Sequence, residues 1–289
     1  MPPAGAPLAG RLPGRLVSPP APTSKPAAVY TVNGRRIDKI VGDPRSSTLY
    51  GFAENGWLLR TTNNGRSWSL VTTSPTVREF IISAGNPRIL YGSTAGDCDA
   101  PSTPGGALLR SENGGQKWIP LPGAVNLRPL LTSPADPATV LATDCTSFYL
   151  SRDGGQTWSA SLAAPGDPLP ATLLLQAAMI GDDLLWPAGV TERWALPALD
   201  VDSVLNRAGL PPDLQIDGLN SLAYGEDGVL YLATDQGLLS RKVDEPAWRF
   251  VPDQGLRRRN TQNVLLTASH PHQLWVNTEA GVYRLFLAD

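Results

Sequence analysis

Three ungapped segments repeat within the chain: TTNNGRSW over 61–68, SENGGQKW over 111–118 and SRDGGQTW over 151–158. Their shared pattern is Ser/Thr-x-Asp/Asn-x-Gly-x-x-Trp, opened by Thr61, Ser111 and Ser151. Self-similarity at this spacing marks a fold built from stacked supersecondary units. Each segment reads as a tight turn between two antiparallel strands. Asn63, Asn113 and Asp153 carry a side-chain oxygen that folds back onto nearby backbone N–H groups. Gly65, Gly115 and Gly155 supply a positive φ that other residues adopt at a cost. Trp68, Trp118 and Trp158 begin the next strand and offer a large ring for burial against a neighbouring sheet.

The flanks repeat as well. An apolar strand precedes each turn: Trp57-Leu58-Leu59, Ala107-Leu108-Leu109 and Phe148-Tyr149-Leu150. Before it lies another, Thr48-Leu49-Tyr50, Ile89-Leu90-Tyr91 or Thr139-Val140-Leu141. Earlier still come the turns Asp43-Pro44, Asn86-Pro87 and Asp136-Pro137, each following an inner strand such as 37–41. The unit therefore has four strands, and the repeated motif joins the third to the fourth. A fifth unit without the motif runs through Asn220–Tyr224, Val229–Ala233, Gly237–Leu239 and Trp248–Phe250. Trp158 and Trp248 lie 90 residues apart, about twice the earlier spacing, which leaves room for a degenerate unit over 171–207 with Leu184-Leu185-Trp186 as its second strand. The last unit has three strands, Asn263–Ala268, Leu274–Asn277 and Val282–Phe286. Its missing outer strand is expected to be Val29-Tyr30-Thr31-Val32, which would close a ring and remove open sheet edges.

The motif resembles the Asp-box, or BNR repeat, of sialidase-like, sortilin-like and photosystem assembly factor-like proteins. That resemblance implies an all-β propeller, here of about six four-stranded blades, within a range of five to seven, over 28–289, with the Asp-boxes as structural staples. It also implies that ligands meet the face opposite the boxes, around the axis. On that face the sequence places the loops 96–106, 144–147, 189–193 and 254–260.

Composition narrows the function. Lys+Arg 24 against Asp+Glu 26 gives a net charge of −2, whereas nucleic-acid binding draws on a basic excess. No apolar run is long enough to span a bilayer. Two cysteines and two histidines are too few for a zinc cage, and Asp97, Asp99 and Asp144 lack an Asp-x-Asp-x-Asp-Gly ligand series, so neither metal nor cofactor is expected. Asp97, Asp99, Asp144, Glu192 and Asp235 are candidate carboxylates, but nothing selects the acid/base pair a glycosidase needs. The resemblance to sialidases would imply an Arg-Ile-Pro motif, of which Arg36-Ile37-Asp38 is only an echo. The reading is thus a non-catalytic binding or assembly module, with a sialidase-like glycoside hydrolase as the alternative.

Arg35, Arg78 and Arg128 each precede the turn residue of their unit by eight positions, an equivalent register suited to an acidic glycan or peptide, or to a protein partner. The short run Arg257-Arg258-Arg259 reads as a solvated loop. The first 27 residues form a proline-rich arm, with eight prolines in 1–28 and no uninterrupted apolar stretch of a signal peptide. It is expected to be flexible, or to dock on another subunit.

Cys98 and Cys145 fall just beyond the second strands of adjacent units and are expected to form a disulfide closing a loop of 47 residues. Such a bond would contribute about 4 kcal/mol in the chain-entropy model. It would also point to an oxidising, extracellular or cell-envelope location. Intact-mass analysis of the unfolded, unreduced protein after alkylation should show no label; two labelled thiols would remove the bond.

Overall fold

The computed structural model describes residues 29–43, 46–77, 79–83, 85–95, 106–133, 136–145, 147–163, 178–180, 183–185, 209–211, 219–224, 228–242, 244–252, 255–267 and 273–286. The arm and most of the fourth unit lie outside them. Among the described residues every regular element of any length is a strand.

The first sheet contains β1 (Thr31–Val32), β2 (Arg35–Gly42), β3 (Leu49–Ala53), β4 (Leu58–Thr61) and β5 (Ser69–Thr72). The second holds β6 (Glu79–Ile82), β7 (Leu90–Ser93), β8 (Ala107–Ser111) and β9 (Ile119–Val125), and the third β10 (Arg128–Thr132), β11 (Val140–Thr143), β12 (Ser147–Ser151) and β13 (Ser159–Ala163). A two-stranded pair follows, β14 (Ala178–Ile180) with β15 (Asp183–Leu185). Then come β16 (Leu219–Tyr224), β17 (Val229–Thr234), β18 (Gly237–Lys242) and β19 (Arg249–Phe250), and finally β20 (Thr261–Thr267), β21 (Gln273–Thr278) and β22 (Gly281–Phe286). Strands pair in chain order within every sheet, all antiparallel where register is defined. Among the described residues the result is a β-propeller with five blades of three to five strands, where about six blades of four strands were expected. The difference lies in the fourth unit, whose described part is the β14–β15 hairpin.

The core is a chain of clusters, each shared by two consecutive blades. Tyr50 and Leu58 of the first blade pack with Phe80 and Leu90 of the second. Tyr91 and Leu108 of the second pack with Leu127 and Val140 of the third. Tyr231 and Leu238 pack with Val264 and Leu274 of the last blade. Trp275 and Val282 of that last blade join Ile37, Ile40 and Leu49 of the first. Inner strands also touch directly, and β2 contacts β20, β21 and β22, so the last blade meets the first. Polar groups reinforce this seam: Ile40 N–H donates to Asn277 Oδ1 at 3.1 Å, and Asn277 Nδ2 donates to the Ile40 carbonyl at 3.2 Å.

The N-terminal segment differs from expectation. Val29 makes one antiparallel bridge to Tyr283, and Tyr30 N–H donates to the Val282 carbonyl at 2.6 Å. Thr31 and Val32 instead turn back on Arg36 and Arg35. The cause is local: Asn33 (φ 51°) and Gly34 (φ 74°) form a two-residue turn with both φ positive, the geometry that Asn-Gly favours in hairpins. Strand β1 is therefore the fifth strand of the first sheet, and the expected four-residue pairing with β22 is not formed.

Tyr30 still ties several parts together. Its hydroxyl donates to the Gly65 carbonyl at 2.9 Å and accepts from Trp68 Nε1 at 2.9 Å. Its ring meets Trp275 edge-on with centroids 4.8 Å apart. Replacing Tyr30 by Phe keeps the ring contact but removes both hydrogen bonds. Chemical denaturation should then report a loss of about 1–3 kcal/mol; an unchanged stability would show that the hydroxyl is not a tie.

Candidate binding face

The Asp-boxes join the third and fourth strands of the first three blades. In each, the opening hydroxyl is the hub. Thr61, Ser111 and Ser151 are 2%, 0% and 1% exposed, so their hydroxyls have only protein partners to satisfy them. Each donates to its Asx oxygen, at 2.8, 3.0 and 2.8 Å, and accepts the N–H of Gly65, Gly115 or Gly155 at 3.0, 2.9 and 2.8 Å. The Asx oxygen in turn accepts the N–H of Ser67, Lys117 or Thr157, each at 2.9 Å. Sequence reading assigned the turn to Asx and Gly; the hydroxyl shares the task equally. Each box also bonds the first-to-second strand turn of its own blade, through Asn64 N–H to Ser47 O, Gly114 N–H to Arg88 O and Gly154 N–H to Ala138 O. Both kinds of turn therefore share one face.

Box glycines face the preceding blade. A Cβ on Gly65 would lie 2.7 Å from Trp275, and one on Gly155 would lie 2.5 Å from Leu121. Positive φ is thus only half of the reason for glycine at these positions. The tryptophans do two things at once. Trp68 and Trp118 lie over Gly51 and Gly92 of their own sheets, and they also join the clusters shared with the preceding blade.

A set of residues that the sequence reading passed over seats each box on its neighbour. Tyr50 pairs across the strands with Arg60, Tyr91 with Arg110 and Trp275 with Arg284. Tyr50 hydroxyl donates to Pro87 O at 2.9 Å, and Tyr91 hydroxyl to Gly154 O at 3.4 Å. Arg110 Nη1 reaches Gly154 O at 3.5 Å, and Arg284 Nη2 reaches Asn64 O at 3.1 Å. Burial raises the pKa of Tyr50 and Tyr91 and keeps both as donors. The available signal was an arginine directly before the box hydroxyl, in Arg60-Thr61 and Arg110-Ser111.

The opposite face carries the second-to-third strand turns and the starts of the inner strands. Here the described carboxylates already have partners. Asp144 accepts from Ser147 N–H at 2.8 Å and from Tyr149 hydroxyl at 2.9 Å. Glu79 pairs with Lys39 across the first two blades, Glu279 with Arg259 at 3.9 Å, and Asp235 accepts from Gln236 Nε2 at 3.3 Å through Oδ2 while its buried Oδ1 has no partner among the described residues. Asp97, Asp99, Glu192 and Cys98 lie outside the described residues. Cys145 lies at the tip of the β11–β12 turn with φ 79°, its N–H donating to Thr143 Oγ1 at 2.9 Å. No three of His, Cys, Asp and Glu are grouped to hold a metal ion among the described residues.

Among the described residues, Arg35 and Arg128 do not share one level. β2 has a bulge between Ile37 and Lys39, and β10 has one between Pro129 and Leu131. Lys39 opposes Phe52, Glu79 opposes Ser93 and Arg128 opposes Thr143, so Arg128 shares the level of Lys39 and Glu79 rather than that of Arg35. Arg128 is 5% exposed, and its Nη1 donates to Asn126 O at 3.1 Å. Arg78 lies outside the described residues. Arg35 pairs with Val32 and is half-buried. Its guanidinium lies 4.3 Å from the centroid of the Trp57 ring. The Asn55 amide oxygen, turned toward them, accepts from Arg35 Nη1 at 2.9 Å and from Trp57 Nε1 at 3.1 Å.

Comparison with known proteins agrees with this architecture. Residues 149–160 match the BNR/Asp-box repeat model. No curated protein matches the chain in sequence. Among solved structures the chain is similar to YCF48 bound to D1 peptide, at 16% identity over 93% of this chain and 99% of that one, TM-score 0.50. It is also similar to a putative gluconolactonase, at 14% identity over 89% and 94%, TM-score 0.53. A GH74 xyloglucanase from Xanthomonas campestris aligns at 16% identity over 90% of this chain but 46% of the enzyme, TM-score 0.46, too low to bear on fold or activity. The chain is a β-propeller of the Asp-box repeat type.

One box titrates. Asp153 has its pKa lowered to about 2, first by the Thr157 hydroxyl and then by the Thr157 N–H, the Ser151 hydroxyl and the Gln156 N–H. These donors favour the charged form, so the contribution is complete above the ordinary carboxylate value and is lost as pH falls through about 2. The other two boxes carry Asn63 and Asn113 and have no such dependence. Carbon-detected NMR should place the Asp153 midpoint near 2, and Asp153→Asn should remove that acid-dependent part of the stability curve. An ordinary midpoint would overturn the hydrogen-bond assignment.

Proposed function

We propose that this propeller is a non-catalytic binding module that holds a protein or peptide partner on the face opposite its Asp-boxes. The carrying observation is the contrast between the two faces. The box face is occupied by hydrogen bonds within and between blades. On the other face the described carboxylates are tied to neighbours, an arrangement that favours holding a ligand over acid/base work, while a cation such as Arg35 is presented on a rigid ring. YCF48, a propeller of similar fold, has been captured with a bound peptide, and the same mode is our reading for this chain.

Two finer features belong to the proposal. The contact of Val29 and Tyr30 with β22 is read as a latch that closes the ring. A Cys98–Cys145 disulfide is read as a staple between loops of adjacent blades, in keeping with an extracellular or envelope location.

Screening an array of short peptides of varied charge beside a panel of chromogenic glycosides that includes a sialoside tests the function. Saturable peptide binding without turnover is the expected outcome. Hydrolysis of any glycoside that disappears on substitution of one carboxylate would replace the module with an enzyme.

A further inference from the structure

The two seams of the last blade carry arginines on the binding face in an uncommon setting. Three basic side chains there meet an acid: Arg36 with Asp38 at 2.8 Å, Lys39 with Glu79, and Arg259 with Glu279. Arg35 and Arg257 form no ion pair among the described residues. Each instead lies over an aromatic ring, Arg35 over Trp57 at 4.3 Å and Arg257 over Phe250 at 5.0 Å. Their places in the fold correspond. Arg257 belongs to the segment entering the last blade, which covers the β17–β18 turn: Arg258 N–H donates to Gln236 O at 2.7 Å, and a Cβ on Gly237 would lie 2.8 Å from Leu256 O. Arg35 belongs to the segment entering the first blade, which covers the next such turn. A Cβ on Gly281 there would lie 3.2 Å from Arg36 Cδ and 3.3 Å from Ile37 O. The two arginines therefore stand at the two seams of the last blade, Arg257 where it meets the preceding blade and Arg35 where it meets the first.

We propose that the last blade, with the seam on either side of it, binds an acidic peptide, with Arg35 and Arg257 each taking one carboxylate. The inference rests on the module reading above and names the ligand chemistry of its face. A guanidinium held flat on a ring loses less freedom on binding, and its outer edge presents two parallel N–H donors matched to a carboxylate. Asn55 fixes one edge of Arg35 through Nη1 and leaves the rest of the fork to a ligand. A sugar fits less well, because stacking a pyranose needs an open aromatic face. One face of Trp57 is under the guanidinium, and the ring also packs on the cluster of Ile37, Ala53 and Leu59. The charge of Glu279 between the two arginines is met by Arg259. A long polyanion is disfavoured by the net charge of −2.

The probe is a fluorescein-labelled, end-capped peptide of alternating Glu and Gly, with the Gln-for-Glu peptide as control, read by anisotropy at two salt concentrations. We expect the Glu peptide alone to bind, more weakly at higher salt, with affinity reduced about tenfold by Arg35→Ala and by Arg257→Ala. Arg35→Lys should keep the charge but lose several-fold, and Arg152→Ala, on the box face, should bind as wild type. A ligand-induced change in tryptophan emission should be lost in Trp57→Phe, which keeps a ring beneath the guanidinium. Circular dichroism of each variant shows that loss of binding is not loss of fold. Equal binding of the Glu and Gln peptides, or wild-type affinity in both alanine variants, overturns this site and leaves the module reading standing. So does binding of free sialic acid or inorganic phosphate without the Glu peptide. Glycoside turnover instead strikes at the module reading itself.

Discussion

Everything in this ring depends on how one blade is seated on the next, and the seat is the Asp-box. Within a box a buried hydroxyl organises the turn by donating to the Asx side chain and accepting a glycine N–H. The turn then offers its carbonyls and glycine surfaces to the preceding blade. There a tyrosine or tryptophan on the second strand, paired with an arginine on the third, meets them. Buried hydrogen bonds of this kind contribute about 1 kcal/mol each in net terms, so apolar clusters supply most of the cohesion. The polar contacts determine which surfaces fit and in what register.

The repeat was legible because its residues are needed locally. A turn with positive φ at Gly65 and an Asx oxygen bonding the backbone four residues on are requirements any reader of one segment can infer. The fifth and last units were legible from alternation and turn residues alone. What stayed hidden depended on partners distant in sequence. Nothing beside Arg284 announces that its guanidinium reaches Asn64, 220 residues away. The arginine count compares unlike places for another reason: Asp43 stands one residue beyond Gly42, which pairs with Leu49, whereas Asp136 stands four beyond Thr132, which pairs with Val140, so equal counts back from the two turns reach different levels. The Asn33-Gly34 hairpin was present in the sequence, but the appeal of a closing strand outweighed it.

The two faces differ in what their polar groups are doing. Around the boxes, N–H and carbonyl groups are committed to holding turns and blades, which suits a scaffold surface. On the opposite face some cations are neutralised by acids and others supported by rings, and Arg259 has both, in Glu279 and Tyr283. A ring restrains a guanidinium without cancelling its charge, whereas a carboxylate partner does both. Trp57 and Phe250 therefore act as mounts.

The aromatic–arginine pair has a telling distribution. It occurs in the last, first and second blades, the three whose successors carry an Asp-box. In the third blade the corresponding pair is Leu141 with Leu150, and in the one built on β16–β19 it is Tyr231 with Ser240. Donor and receptor thus occur together in this chain although they lie in different blades. The module that behaves as a cassette in this chain straddles a boundary, running from the middle strands of one blade to the outer turn of the next. Recombination or engineered duplication cut at blade boundaries would separate lock from key, whereas cuts through the blade middles would carry both.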